Sequence, residues 1–158
     1  MGDLKVKAEP NSHAIVITND FNAPLAKVFK AYTEADAVKQ WWGGRTYETK
    51  IDVYEPRAGG SWRFVQKGPD GNEFSFHGVF HEVAENERIT WTFEFDGLPE
   101  KGHACMETVY FTEEDGKTKI RIVSVFQSVE DRDGMVESGM ETGLREGMEV
   151  LTEIVENA

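Results

Sequence analysis

The chain has 158 residues, of which 39% are hydrophobic and 11% aromatic, and its formal net charge is −12 at pH 7. A chain of this length and composition can bury one core without disulfides or metal ions, so we expect a single domain over residues 1–158. Because an acidic chain repels phosphate, the charge argues against nucleic acids as partners and against docking on anionic membranes.

The amino-terminal part of the chain predicts one strand that leads into a helix. Residues 14–18 form a β-branched run typical of a strand. Pro24 follows at a position typical of a first helical turn, and apolar residues then recur at helical spacing over residues 25–32.

A second short helix is predicted directly after the first. Residues 33–36, Thr-Glu-Ala-Asp, resemble a capping box, which marks the start of a helix. This helix carries Trp41 and Trp42, and the pair Gly43-Gly44 predicts its end.

Between residues 46 and 127 the hydrophobic pattern changes to a period of two. Segments rich in Gly, Pro, Asn and Asp divide this part into about six strands joined by short turns, which predicts an antiparallel meander. One set of alternating positions is apolar and the other polar, so we expect one buried face. The apolar set includes Trp62, Phe64, Phe76, Phe80, Trp91, Phe93 and Val109.

The carboxy-terminal segment predicts one long helix from about Asp131 to Asn157 that covers the apolar sheet face, with Ser128 as its cap. Gly139, Gly143 and Gly147 repeat every four residues within it. Since each glycine costs a helix about 1 kcal/mol relative to alanine, we expect the three to face either a close backbone or a ligand cavity. The apolar residues beside them are Met140, Leu144 and Met148.

Several short motifs occur in a specific order between residues 12 and 156. They are Phe21–Thr33, Trp41–Gly43, Gly59–Phe64, Gly68–Gly71, Phe76–Phe80, Arg88–Thr92 and Gly139–Leu144. Together they resemble the SRPBCC superfamily, whose members are START-like and birch-pollen-allergen-like, and within it the subfamily named after heat-shock-protein-90 ATPase activator homologues. The resemblance implies an α+β helix-grip fold, in which a curved antiparallel sheet of about seven strands wraps a long carboxy-terminal helix, with two short helices after the first strand.

The resemblance also implies a pocket between the sheet and the terminal helix. Members of the superfamily bind lipids, polyketides, flavonoid-like molecules or other hydrophobic compounds, so a binding protein for a small hydrophobic ligand is favoured. Two alternatives stay open: a cyclase- or hydrolase-type enzyme that uses the same pocket, and a chaperone-interacting module, as the subfamily name suggests. A protein partner is possible, and no cofactor is expected.

Two polar residues share the strand positions of the apolar face. Glu107 has the parity of Val109, so its carboxylate either points inward, where it would titrate high or bind a ligand, or reaches solvent at the strand end. Ser124 alternates with Ile122 and Phe126, and it would either orient a ligand or bond to nearby backbone. The predicted ligand-binding set is Trp62, Phe64, Phe76, Phe80, Trp91, Phe93, Glu107, Val109, Ser124, Met140, Gly143, Leu144 and Met148.

The remaining chemistry-bearing residues predict neither a metal site nor a catalytic residue. His77 and His81 lie on the polar face, four residues apart on one strand, roughly 13 Å and too far to share one metal. Cys105, the only cysteine, has no activating base in view. Without a secretory signal or an apolar segment of membrane-spanning length, we expect a cytoplasmic monomer or homodimer with no membrane insertion.

Overall fold

The computed structural model describes residues 4–157. Within that range, eight strands and four helices follow one another along the chain. They are β1 (Lys5–Lys7), β2 (Ala14–Phe21), α1 (Leu25–Thr33), α2 (Ala35–Trp41), β3 (Glu48–Tyr54), β4 (Ser61–Lys67), β5 (Glu73–Ala84), β6 (Arg88–Phe95), β7 (Cys105–Glu114), β8 (Lys117–Val125), α3 (Val129–Glu137) and α4 (Met140–Glu156).

The eight strands form one antiparallel sheet in the order β1-β2-β8-β7-β6-β5-β4-β3. From β3 to β8 each strand pairs with the next, as the predicted meander requires, and β2 extends the sheet by pairing with β8. The register is interrupted in β3 between Ile51 and Val53 and in β5 between Phe80 and Glu82, and such bulges bend a sheet. The helix-grip prediction is confirmed, with one more strand than expected because β1 pairs along the edge of β2.

The two short helices follow β2 as the sequence predicts, but the capping box between them does not form. Glu34 has an extended backbone and makes no capping hydrogen bond through its side chain. The Thr33 hydroxyl donates instead to the carbonyl oxygen of Phe29 at 3.1 Å. The second helix therefore begins at a break in the backbone without side-chain capping.

The carboxy-terminal helix is interrupted, so the prediction of one helix from Asp131 to Asn157 is wrong. Gly139 lies between α3 and α4 with a φ of 84°, a left-handed conformation that ends the helical path and favours glycine. The predicted cap is confirmed, because Ser128 Oγ accepts a hydrogen bond from the Asp131 amide at 3.0 Å. No helix within residues 4–157 is long and apolar enough to cross a membrane.

The cover of the sheet has two parts. α4 packs against α1, α2 and β2, and Leu151 and Val155 on α4 are fully buried in the core. The strands farther along the sheet are approached by aromatic residues from α1, α2 and the turn after α2, namely Tyr32, Trp41 and Trp42. The expectation that one long helix covers the whole apolar face is therefore too simple.

Candidate ligand-binding site

Five aromatic side chains on β4, β5 and β6 form a continuous surface on the inner side of the sheet, which we name the aromatic face. Strand alternation places them there, and cross-strand pairing brings Phe64 directly opposite Phe76. Trp62 and Trp91 stack with their ring centroids 4.3 Å apart. The aromatic face consists of Trp62, Phe64, Phe76, Trp91 and Phe93.

The aromatic face is not uniformly buried. Trp62 and Phe64 are 1% and 0% exposed, whereas Phe76 and Phe93 are only half-buried. Phe80, another predicted pocket residue, is buried beside it with its ring centroid 5.6 Å from that of Trp91. The end of the aromatic face formed by Trp62 and Phe64 is therefore closed, and the end formed by Phe76 and Phe93 is more accessible.

Trp42 covers this surface, although the sequence does not place it in the ligand-binding set. Its ring lies near all five rings of the aromatic face, with centroid distances from 5.1 Å to Phe64 to 6.4 Å to Phe76. The sequence feature that could have identified Trp42 is the Trp41-Trp42 pair. Neighbouring residues in a helix point about 100° apart, so the two rings cannot both pack into the same site. Trp41 is buried against Tyr32 of α1, and Trp42 lies over the aromatic face.

The space left beside the aromatic face is small. A cavity of about 20 Å³ lies among residues that include Tyr32, Trp41, Phe80 and Val109. That volume suits about one water molecule. The expected ligand-sized cavity is therefore not open at this place, where Tyr32 and Trp41 of the two short helices lie against Phe80 and Val109 of the sheet.

Glu107 brings a carboxylate into contact with the aromatic face. Its Oε1 accepts a hydrogen bond from Trp91 Nε1 at 3.0 Å, and its Oε2 accepts one from Ser124 Oγ at 2.6 Å. The strand register explains both contacts, since Glu107 lies opposite Trp91 on β6 and Ser124 on β8. Of the two interpretations that the sequence leaves open for Glu107, the structure adopts the inward one, and Ser124 donates to this carboxylate where a bond to nearby backbone was the alternative to a ligand.

Burial raises the pKa of Glu107, although the hydrogen bonds from Ser124 and Trp91 oppose the rise by favouring the charged form. Burial and the charge of Glu107 raise the pKa of Tyr32 and also that of Cys105, so both groups stay protonated at neutral pH. A protonated thiol is a weak nucleophile. Of these three groups, Glu107 is thus the acid whose pKa is raised from an ordinary value below neutrality.

The three glycines near the carboxy terminus lie in different surroundings. Gly139 precedes α4, and Gly143 is exposed, with no atom within 4 Å of the position that a Cβ would take. Only Gly147 meets a close backbone, because a Cβ there would lie 2.9 Å from the carbonyl oxygen of Trp41. The idea of one stripe along one helix is wrong, and close backbone packing explains only Gly147.

The other predicted residues of α4 differ in burial. Met148 is 4% exposed and belongs to the core, whereas Met140 and Leu144 are half-buried. On the opposite side, Val109 is buried on β7 and lines the small cavity. The structure thus joins the predicted sheet residues into one connected set, and it leaves Gly143 at the surface.

The histidines of β5 lie on the outer side of the sheet, opposite Phe76, as the alternation predicts. His77 Nδ1 lies 2.6 Å from Asp96 Oδ1, and Arg63 forms an ion pair with the same carboxylate at 2.9 Å. Among the residues described, no three His, Cys, Asp or Glu side chains are grouped so as to hold a metal ion.

Comparison with known proteins supports this architecture. The sequence model of the family described as Activator of Hsp90 ATPase homolog 1-like protein matches residues 22–156. A solution NMR structure of an Arthrobacter aurescens protein is 24% identical, with a TM-score of 0.87, over 96% of this chain and 91% of that one. A crystal structure of a Mycobacterium smegmatis protein is 21% identical, with a TM-score of 0.87, over 97% of both chains. At these identities the likeness shows the fold alone, and the comparison with proteins of curated function found no match.

Proposed function

We propose, from the premise that this chain belongs to the family of Activator of Hsp90 ATPase homolog 1-like proteins, that it binds a small hydrophobic molecule on the aromatic face. Membership of this family supports, in general terms, either a ligand-binding or a chaperone-associated module. We favour ligand binding because of the residues at the aromatic face. The predicted resemblance to the SRPBCC superfamily is confirmed by the family match and by neighbours of the same fold.

The observation that carries the proposal is a carboxylate set against an aromatic surface in the interior. Glu107 uses one acceptor position on each oxygen, for Trp91 and for Ser124. A carboxylate offers about four such positions, so it retains capacity for a further donor. Ligand sites typically combine an apolar lining with a few polar groups that fix orientation. We therefore infer a largely apolar ligand with one hydroxyl group that donates to Glu107.

The rings of the aromatic face support one class of ligand over the others. Aromatic side chains pack favourably edge-on or offset against a further ring. Among lipid-, polyketide- and flavonoid-like compounds, this favours molecules with aromatic rings. The cytoplasmic location and the monomeric or homodimeric state stay predictions.

The test compares 2-naphthol with 2-methylnaphthalene, which has a similar shape but no hydroxyl, by following amide chemical shifts in NMR titrations. We expect saturable shifts of β4, β5 and β6, with 2-naphthol bound more tightly. Glu107→Gln should remove most of that preference, because a hydrogen bond to a charged group contributes about 1.5–3 kcal/mol, or about tenfold or more in affinity. Glu114→Gln, at the exposed end of the same strand, is the matched control and should keep the preference.

Two results would contradict the proposal. If neither compound produces saturable shifts in these strands, the aromatic face is not a binding site. If Glu107→Gln binds both compounds as the unmodified protein does, the carboxylate does not orient the ligand.

A further inference from the structure

The ring of Trp42 occupies the place that a ligand of the aromatic face would need. It lies within 6.4 Å, centroid to centroid, of each of the five rings of that face. Several of these contacts are edge-to-face, as with Phe64 at 5.1 Å and 70° and with Trp91 at 5.8 Å and 86°. A flat two-ring molecule in the same position would make the same kind of contacts.

We propose that Trp42 is a displaceable cover, and that the ligand is a flat aromatic compound of about the size of an indole that replaces the Trp42 ring on the aromatic face. This inference rests on the proposed function, because it assigns the class of ligand and the way in which the same site opens.

The hydrogen bonding of the four tryptophans singles out Trp42. The indole N–H groups of the other three each donate at 3.0 Å to an acceptor, which is Ala31 O for Trp41, Thr92 O for Trp62 and Glu107 for Trp91. The N–H of Trp42 is buried, yet it makes no hydrogen bond to any of residues 4–157. A buried donor without a partner costs free energy that is regained when it reaches water. Displacement of this ring is therefore less costly than displacement of any other indole in the protein.

The backbone around Trp42 allows the side chain to move while the fold stays in place. Trp42 follows the last residue of α2, and its amide donates to the carbonyl of Val38 at 2.9 Å. Its own carbonyl accepts from Thr49 Oγ1 at 2.6 Å. The next residues, Gly43 and Gly44, have φ values of 87° and 64°, a left-handed conformation that favours glycine. The main chain is held on both sides, so rotation of the half-buried side chain is enough to uncover the aromatic face.

A ligand that binds only when the cover is open has an apparent affinity equal to its intrinsic affinity multiplied by the fraction of molecules in which the cover is open. Minor conformations of this kind are populated to about 0.1–10%. Removal of the ring abolishes this cost, so Trp42→Ala should bind 2-naphthol about ten- to a thousandfold more tightly than the unmodified protein.

The affinity of Trp42→Ala for 2-naphthol is to be measured by isothermal titration calorimetry beside the unmodified protein. Tyr110→Ala is the control, because it removes an exposed ring on the outer side of the sheet and should leave the affinity unchanged. A second measurement does not depend on the folding of the Trp42 variant. In the unmodified protein saturated with 2-naphthol, hydrogen exchange of the Trp42 indole N–H should become faster, while that of Trp41 stays slow as an internal reference.

The outcomes separate this inference from the proposed function. Tighter binding by Trp42→Ala, or faster exchange of the Trp42 N–H on saturation if that variant does not fold, supports the displaceable cover. The displaceable cover is overturned if the unmodified protein binds 2-naphthol while the Trp42 N–H stays protected, and Trp42→Ala binds equally or more weakly. Trp42 would then be a fixed wall of the site. If neither protein binds 2-naphthol, the proposed function fails and this inference fails with it.

Discussion

The inner side of the sheet has two halves that are covered in different ways. On β2 and β8, aliphatic residues such as Ile15 and Ile120 are 1% and 0% exposed, and Leu151 of α4 is buried with them. On β4 to β6 the surface is aromatic, and it is covered by Tyr32, Trp41 and the half-buried Trp42. One half is sealed by a whole helix, and the other by single side chains, of which Trp42 lies against all five rings of the aromatic face.

The two halves of the sheet contribute differently to stability and to function. Close-packed aliphatic residues under a helix contribute most of the free energy of folding, because every removed methylene leaves a cavity. The aromatic half adds a buried carboxylate and an indole N–H without a partner, both of which cost free energy. Such costs are typical of a surface kept for a ligand, and each prediction below tests whether the two halves behave differently.

The largest effect is expected in the aliphatic half. Leu151→Ala should lower the free energy of unfolding by about 2–5 kcal/mol, because Leu151 is 0% exposed and its truncation leaves a cavity. Urea denaturation measures the loss, with half-buried Ile154→Ala of the same helix as a milder control. The binding of 2-naphthol by the folded variant should be unchanged. A loss below about 1 kcal/mol would mean that α4 does not seal this half as described.

The second prediction compares two tryptophans of the aromatic half. Trp62→Phe removes a donor that bonds to Thr92 O, whereas Trp42→Phe removes a donor that has no partner. Trp62→Phe should therefore destabilise the protein by about 1–3 kcal/mol more than Trp42→Phe, because only the former leaves a buried acceptor unsatisfied. Equal losses of the free energy of unfolding in denaturant melts would contradict the distinction between Trp62 as a fixed wall of the site and Trp42 as its displaceable cover.

The third prediction concerns the pH dependence that Glu107 adds to stability. Its pKa is raised in the folded protein above the ordinary value of 4.5, so the folded state binds the proton more tightly than the unfolded state does. The free energy of unfolding of the unmodified protein should therefore fall, relative to that of Glu107→Gln, as pH rises from 4.5 through the folded pKa. Melts of both proteins across this range measure the difference. If the difference in free energy of unfolding between the two proteins is constant with pH, or if it shifts in favour of the unmodified protein as pH rises, burial does not raise the pKa of Glu107.

The smallest effect is expected at a contact between the loop after β6 and α3. Asp131 and Glu100 hydrogen-bond to His103 and raise its pKa above the ordinary value of 6.5. The stabilisation by His103 is then fully present below pH 6.5 and is lost as pH rises through the folded pKa. An NMR titration of the His103 ring should give a midpoint above 6.5, and His103→Gln should remove this part of the pH dependence. A midpoint at or below 6.5 would show that the two carboxylates do not hold the ring.

Much of the fold could be predicted from the sequence, because alternation with period two and turn residues act locally. They placed Phe64 and Phe76 on one face and gave Glu107 the parity of Val109, but they left open whether its carboxylate points inward or reaches solvent. The helix break at Gly139 could not be predicted, because the apolar spacing continues through it and only the backbone conformation shows the interruption. The role of Trp42 depends on packing between elements distant in sequence, so pattern alone leaves it as the end of a helix.

The most direct test of the central claim is an isotope-filtered NOESY spectrum of the protein saturated with 2-naphthol. We expect contacts from the naphthol protons to the rings of Phe76 and Phe93, and the loss of contacts between the Trp42 and Phe64 rings. Naphthol contacts confined to exposed residues, with the Trp42 to Phe64 contacts intact, would contradict the claim that the aromatic face is a ligand site covered by Trp42.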